Sequence, residues 1–72
     1  MKISYDSRAD SLSIIFRDTT VTTHELEPGI AADYDSDGRL AGLEILDAAE
    51  RFGGLSTFSQ VTLEGIGLRQ AA

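Results

Sequence analysis

Asp33, Asp35, Asp37, Gly38 and Glu44 are the residues whose types and spacing come nearest to a known chemistry. They stand at positions 1, 3, 5, 6 and 12 of the EF-hand loop, where carboxylate oxygens wrap a calcium ion around a glycine-permitted turn. The formula is matched in full, but its setting is not. An EF-hand loop joins two helices, whereas Pro28-Gly29 lies just upstream, where the entering helix would still be running. Downstream, Leu43-Glu44-Ile45-Leu46 is bulky and β-branched rather than the start of a long amphipathic helix.

A β-hairpin accounts for the same residues. In Asp35-Ser36-Asp37-Gly38 the polar side chains can bond nearby backbone N–H groups and glycine accepts positive φ, which fits a three-residue loop closed by a glycine bulge. Ile30, Ala32 and Tyr34 before the turn, and Leu43 and Ile45 after it, keep the spacing of two that puts side chains on one face of a strand. With the turn at Ser36 to Gly38, Asp35 faces Arg39, Asp33 faces Ala41 and Glu44 faces Ile30. That register puts Glu44 three residues along the ladder from Asp33, roughly 10 Å away, too far for one calcium ion to collect both.

Other carboxylates invite an acid–base reading: Asp6 and Asp10, or Glu44 and Asp47. Such work needs a carboxyl whose pKa is displaced by burial or a close like charge. The plainer reading of Asp6 and Asp10 is a pair of turn carboxylates accepting local N–H bonds. His24 has no cysteine or second histidine to complete a metal set, and no nucleophile with a matched base stands near it. No nucleophile elbow, phosphate loop or dinucleotide fingerprint occurs. We expect no catalytic, cofactor-binding or metal-binding residues, and no cofactor.

The elements that position these residues follow from the pattern. Lys2 to Tyr5 and Ser11 to Phe16 alternate around the turn formers of Asp6 to Asp10, giving a first hairpin. Val21 to Leu26 is β-branched and alternating, a third strand ended by Pro28-Gly29. Asp47 can cap a short helix over Ala48 to Phe52, stopped by Gly53-Gly54. Val61 to Glu64 resembles a sixth strand, and the end frays toward Ala72. The expected fold is therefore α+β: an antiparallel β-meander of five to six strands with one short helix packed on one face. Residues 1–52 form the domain and residues 53–72 an extension. Ile3, Tyr5, Leu12, Ile14, Phe16, Leu43 and Ile45 form the core face, covered by Phe52 or Phe58. Ile15, Val21, Leu40 and Leu46 fall on the opposite face, a second apolar surface that a subunit or partner interface would explain. Glu44 interrupts its apolar run and must point away from Leu43 and Ile45, so it joins that interface set.

Seventy-two residues bury only about 60% of the unfolded surface, and no cysteines supply disulfides or a structural zinc. Oligomerisation is the remaining source of stability, so we expect a dimer or a bound partner. The net charge of -6 is uneven: from Glu25 to Glu50 eight acids accompany one base, Arg39. This surface repels nucleic acid and suits a basic protein partner. With no membrane span and no signal-peptide core, no membrane association is expected and the location is cytoplasmic.

The strings YDSRADSLSI, ELEPGIAADYDSDGRLAGLEILDA and ERF resemble a bacterial family of small uncharacterised proteins, domain of unknown function 2283, over residues 1 to 52. The likeness is carried by Tyr5, Asp6, Ala9, Asp10, Leu12, Pro28, Gly29, Asp33, Tyr34, Asp35, Asp37, Gly38, Gly42, Glu44, Ile45, Leu46, Asp47 and Ala48. It implies a fold rather than an activity. Some members resemble partners of small toxin-like proteins, which implies an antitoxin-type role. The expectation is thus a non-catalytic, acidic interaction module, with calcium or small-ligand binding at Asp33 to Glu44, or a carboxylate-based enzyme, as alternatives.

Overall fold

The computed structural model describes residues 1–65 and 67. Five strands form one antiparallel sheet: β1 (Lys2–Asp6), β2 (Ser11–Ile15), β3 (Thr22–Glu27), β4 (Ile30–Tyr34) and β5 (Leu40–Leu46). Local turn chemistry makes each hairpin. Between β1 and β2, Asp6 Oδ1 accepts the Arg8 N–H at 2.9 Å. Between β4 and β5 the Gly38 N–H donates to the Asp35 carbonyl at 3.0 Å and the Asp35 N–H to the Arg39 carbonyl at 2.9 Å. With Gly38 at φ 81, this is the expected three-residue loop. Strands, not helices, flank the acidic loop.

The order is β1-β2-β5-β4-β3, which corrects the expected meander. β2 does not turn back into β3; it pairs with β5, and the Phe16 N–H continues that ladder to the Ala41 carbonyl at 2.8 Å. β5 is the longest and most apolar strand, so it gains most by having neighbours on both sides, and β3 is displaced to the outer edge. Residues 60–64 form no strand. The expected sixth strand is absent because a strand needs an edge to pair with, and a 3-10 helix (Leu55–Ser59) holds this part of the chain over the sheet face instead. The expected fraying toward Ala72 falls mainly outside the described residues.

Register sets the two faces. Ile3 lies opposite Ile14, Tyr5 opposite Leu12, Leu12 opposite Ile45 and Ile14 opposite Leu43, so the expected core residues share one face. The helix α1 (Ala48–Arg51) buries Ala48 completely, and Phe58 of the 3-10 helix lies on Tyr5 with ring centroids 4.5 Å apart. Phe52 meets Phe58 edge-on at 5.9 Å. The cover is thin. Among the described residues no large side chain is fully buried, and Ile3 remains 47% exposed. The Cα radius of gyration, 14.0 Å, exceeds the roughly 11 Å of a compact chain of this length. A single sheet with so little on either face stands to gain from a further layer.

Candidate functional site

The other face carries the acids. The β4–β5 register shifts at Asp33/Tyr34: Tyr34 pairs with Leu40 but Asp33 pairs with Gly42, leaving Ala41 as a bulge residue. Asp33 therefore does not face Ala41, and Glu44 faces Ala31 rather than Ile30. Asp33 and Glu44 become diagonal neighbours on one face, two ladder positions apart. The expected 10 Å separation is corrected: the two carboxyls stand close enough for a protonated Glu44 to hydrogen-bond to Asp33. That bond, then partial burial, then the Asp33 charge, push the Glu44 carboxyl above the usual range. Thr23 Oγ1 donates to Asp33 Oδ1 at 2.5 Å. Asp33 Oδ2 lies 3.2 Å from where a Cβ on Gly42 would stand, so the missing side chain gives the carboxylate its room. Gly42 in mid-strand was the signal in the sequence for such a close approach.

Beside this pair, Glu25 of β3, Ala31 of β4 and Glu44 of β5 stand in one row across the sheet. They border an open depression of about 190 Å³, with Leu46 at one end and Thr23 at the other. Of the expected interface residues, Ile15, Glu44 and Leu46 share this face, Ile15 being opposite Gly42 and Leu46 opposite Ser11. Leu46 is half exposed and Val21 is exposed just ahead of β3. Leu40 is a correction. It pairs with Tyr34, whose ring meets His24 edge-on at 5.6 Å on the other face.

A family model described as a protein of unknown function (DUF2283) matches residues 2–48. The chain belongs to the DUF2283 family. No curated protein and no solved structure gives a significant match. The match spans all five strands and ends at buried Ala48, so the acid-bearing face lies within it.

Asp35, Asp6 and Asp10 of this DUF2283 chain have structural partners. Asp35 Oδ1 accepts the N–H groups of Asp37 and Arg39, each at 2.9 Å, and Oδ2 takes the Arg17 guanidinium at 2.6 Å. The Arg39 N–H first and Arg17 next hold its carboxyl below the usual range, and its side chain is 7% exposed. Asp6 behaves as expected, but Asp10 does not. Its Oδ1 accepts the Ala49 N–H at 2.8 Å and the Tyr5 hydroxyl at 2.6 Å, while its carbonyl accepts the Ala48 N–H at 3.0 Å. Asp10 thus caps α1 from 39 residues away. The expected cap, Asp47, sits at φ 53 with no side-chain bond to the helix. The Tyr5 bond, then the Ala49 N–H, lower the Asp10 carboxyl, and the Asp10 bond pushes the Tyr5 phenol up to about 12. Among the described residues, no three His, Cys, Asp or Glu side chains converge as a metal would require.

Proposed function

We propose that this chain is a non-catalytic interaction module whose acidic sheet face binds a basic protein partner, in an antitoxin-like manner. The observation that carries this reading is the union, on one face, of exposed Leu46 with the carboxylates of Glu25, Asp33 and Glu44. Charge steers a basic partner to the face, and the apolar area gives the contact hydrophobic burial once it arrives. The thin opposite cover also favours self-association, and a dimer is part of the proposal.

Affinity capture from the chain's own cells, run in parallel on the wild type and an Asp33→Asn/Glu44→Gln variant, tests it. A basic protein retained by the wild type and lost by the variant is expected; wild type recovered alone defeats the reading. Sedimentation tests the dimer, which a compact monomer at all concentrations would remove.

A second reading rests on Asp33 and Glu44 as diagonal neighbours on one face, since adjacent carboxyls can bind a cation or share a proton. Calorimetric titration with calcium separates it from the first. Heat that saturates in the wild type and vanishes on Glu44→Gln would favour the cation; none at millimolar calcium would remove the calcium form of this reading.

A further inference from the structure

We propose that the trough over Ala31 is an anchor for a single arginine side chain of a partner protein. This rests on the interaction-module reading and names the chemistry of its contact. Glu25, Ala31 and Glu44 occupy directly paired positions on three adjacent strands, so all three side chains rise from one row on the same face. Strands lie about 4.8 Å apart, which puts the two glutamate backbones roughly 10 Å apart with a methyl group between them. The result is a trough one strand wide, walled by carboxylates and floored by Ala31. Leu46 continues the apolar floor, and Thr23 closes the other end.

This shape suits a long cationic side chain better than an ammonium at its rim. An arginine stem can lie on Leu46 while the flat guanidinium bridges two carboxylates, each taking a forked pair of N–H donors. The fold already uses such a group next to the trough. Arg51 occupies the space left by Gly29, with its Nε on the Leu46 carbonyl at 2.9 Å and Nη2 on the Pro28 carbonyl at 2.5 Å. Those carbonyls are therefore engaged, and an incoming cation meets Glu25 and Glu44. Asp33 adds negative charge behind Glu44 without lining the trough. The chain as a whole supplies the matching sign, its net charge being -6.

The test uses the full chain, nitrogen-15 labelled, titrated with N-acetyl-arginine amide and with its uncharged isostere N-acetyl-citrulline amide. The arginine compound should shift the backbone amides of Thr23, Glu25, Ala31 and Glu44, and the citrulline compound should not. Glu44→Gln and Glu25→Gln should each weaken arginine binding about fivefold, the loss of one screened ion pair. Asp37→Asn, which removes the same charge in the turn, should leave it unchanged. Amide dispersion checks that each variant folds. Equal shifts from citrulline, arginine binding by Glu44→Gln and Glu25→Gln unchanged from the wild type, or arginine excluded by self-association of the chain would each overturn the anchor. If a basic partner is captured equally by wild type and by Glu25→Gln/Glu44→Gln, the anchor fails while the module stands. If arginine binds here as described but no partner protein is retained, the anchor stands and the module fails.

Discussion

Replacing Gly42 by alanine tests the packing on which the acidic face depends. A Cβ at this position would stand 2.9 Å from the Ile14 carbonyl oxygen of β2 and 3.2 Å from Asp33 Oδ2. The first contact is with backbone fixed in a ladder, so it cannot be relieved by a rotamer change; the second is with a side chain that can swing away. Overpacking of this kind costs about 1–3 kcal/mol. Against it, removing a glycine from a strand returns about 0.5–1 kcal/mol of chain entropy. The net effect centres on a loss of about 1 kcal/mol, or a Tm lower by roughly 4–8 °C for a domain of this size. Thermal and urea unfolding followed by circular dichroism at fixed protein concentration will measure it, with an unchanged urea m-value. Adding Asp33→Ala should recover only a minor part, because the closer clash is with Ile14. Gly38→Ala is the comparison: it has open space but sits at φ 81, so its cost, about 1 kcal/mol, is left-handed strain alone. A Gly42→Ala chain as stable as the wild type would refute the close approach of β2, and a full rescue by Asp33→Ala would place the clash on the wrong atom.

Glu44→Gln should stabilise the fold at neutral pH by no more than about 0.5 kcal/mol, since the repulsion it removes is between solvated charges. Because the folded carboxyl is raised above its ordinary 4.5, the wild type is favoured below that pH and loses the benefit as pH rises through the folded value; the variant's advantage should therefore disappear in acid. A pH-independent difference in unfolding midpoint would contradict the Asp33 contact. Asp10→Asn should return the Tyr5 phenol from about 12 toward its ordinary 10.0, read by phenolate absorbance in a Tyr34→Phe background. In the wild type the neutral phenol supports the fold below about 10 and that support is lost as pH rises to about 12, while the lowered Asp10 carboxylate supports it above about 3.8 and is lost in stronger acid. A Tyr5 that titrates unchanged in the variant would mean Asp10 is not its partner.

Much of the fold was legible because it is written in short stretches. The Asp35 to Gly38 turn, the β1–β2 hairpin and the alternation that puts Ile3, Tyr5, Leu12, Ile14, Leu43 and Ile45 together all depend on residues within a few positions of one another. What failed was non-local. Nothing near Phe16 states that β2 will join β5 rather than β3, since that choice depends on which strand profits most from a central place. Asp10 caps a helix 39 residues on, and Asp47, the residue with the right type in the right place, is left without that role. Of the acidic face, Ile15, Glu44 and Leu46 were read correctly as sharing a side, whereas Leu40 and the distance from Asp33 to Glu44 were not.

Both of those errors come from one residue, and the two strand patterns together require it. In an unbroken ladder from the Gly38 turn, Glu44 would pair with Ile30 and Gly42 with Ala32, while Leu43 would pair with Ala31 and share a face with Asp33. The apolar set of β4 would then lie beside Glu44, and Asp33 would be turned under the helix with Leu43 and Ile45. Because side chains alternate with a period of two, a shift of one residue exchanges the faces completely. The extra residue at Ala41 makes that shift, bringing Ala32 opposite Leu43 and Ile30 opposite Ile45. The same step places Asp33 over bare Gly42 beside Glu44, and puts Glu44 in line with Ala31 and Glu25. The hydrophobic demand of one face thus assembles the acids of the other, and a bulge that first satisfies folding also builds the surface through which we propose the chain acts.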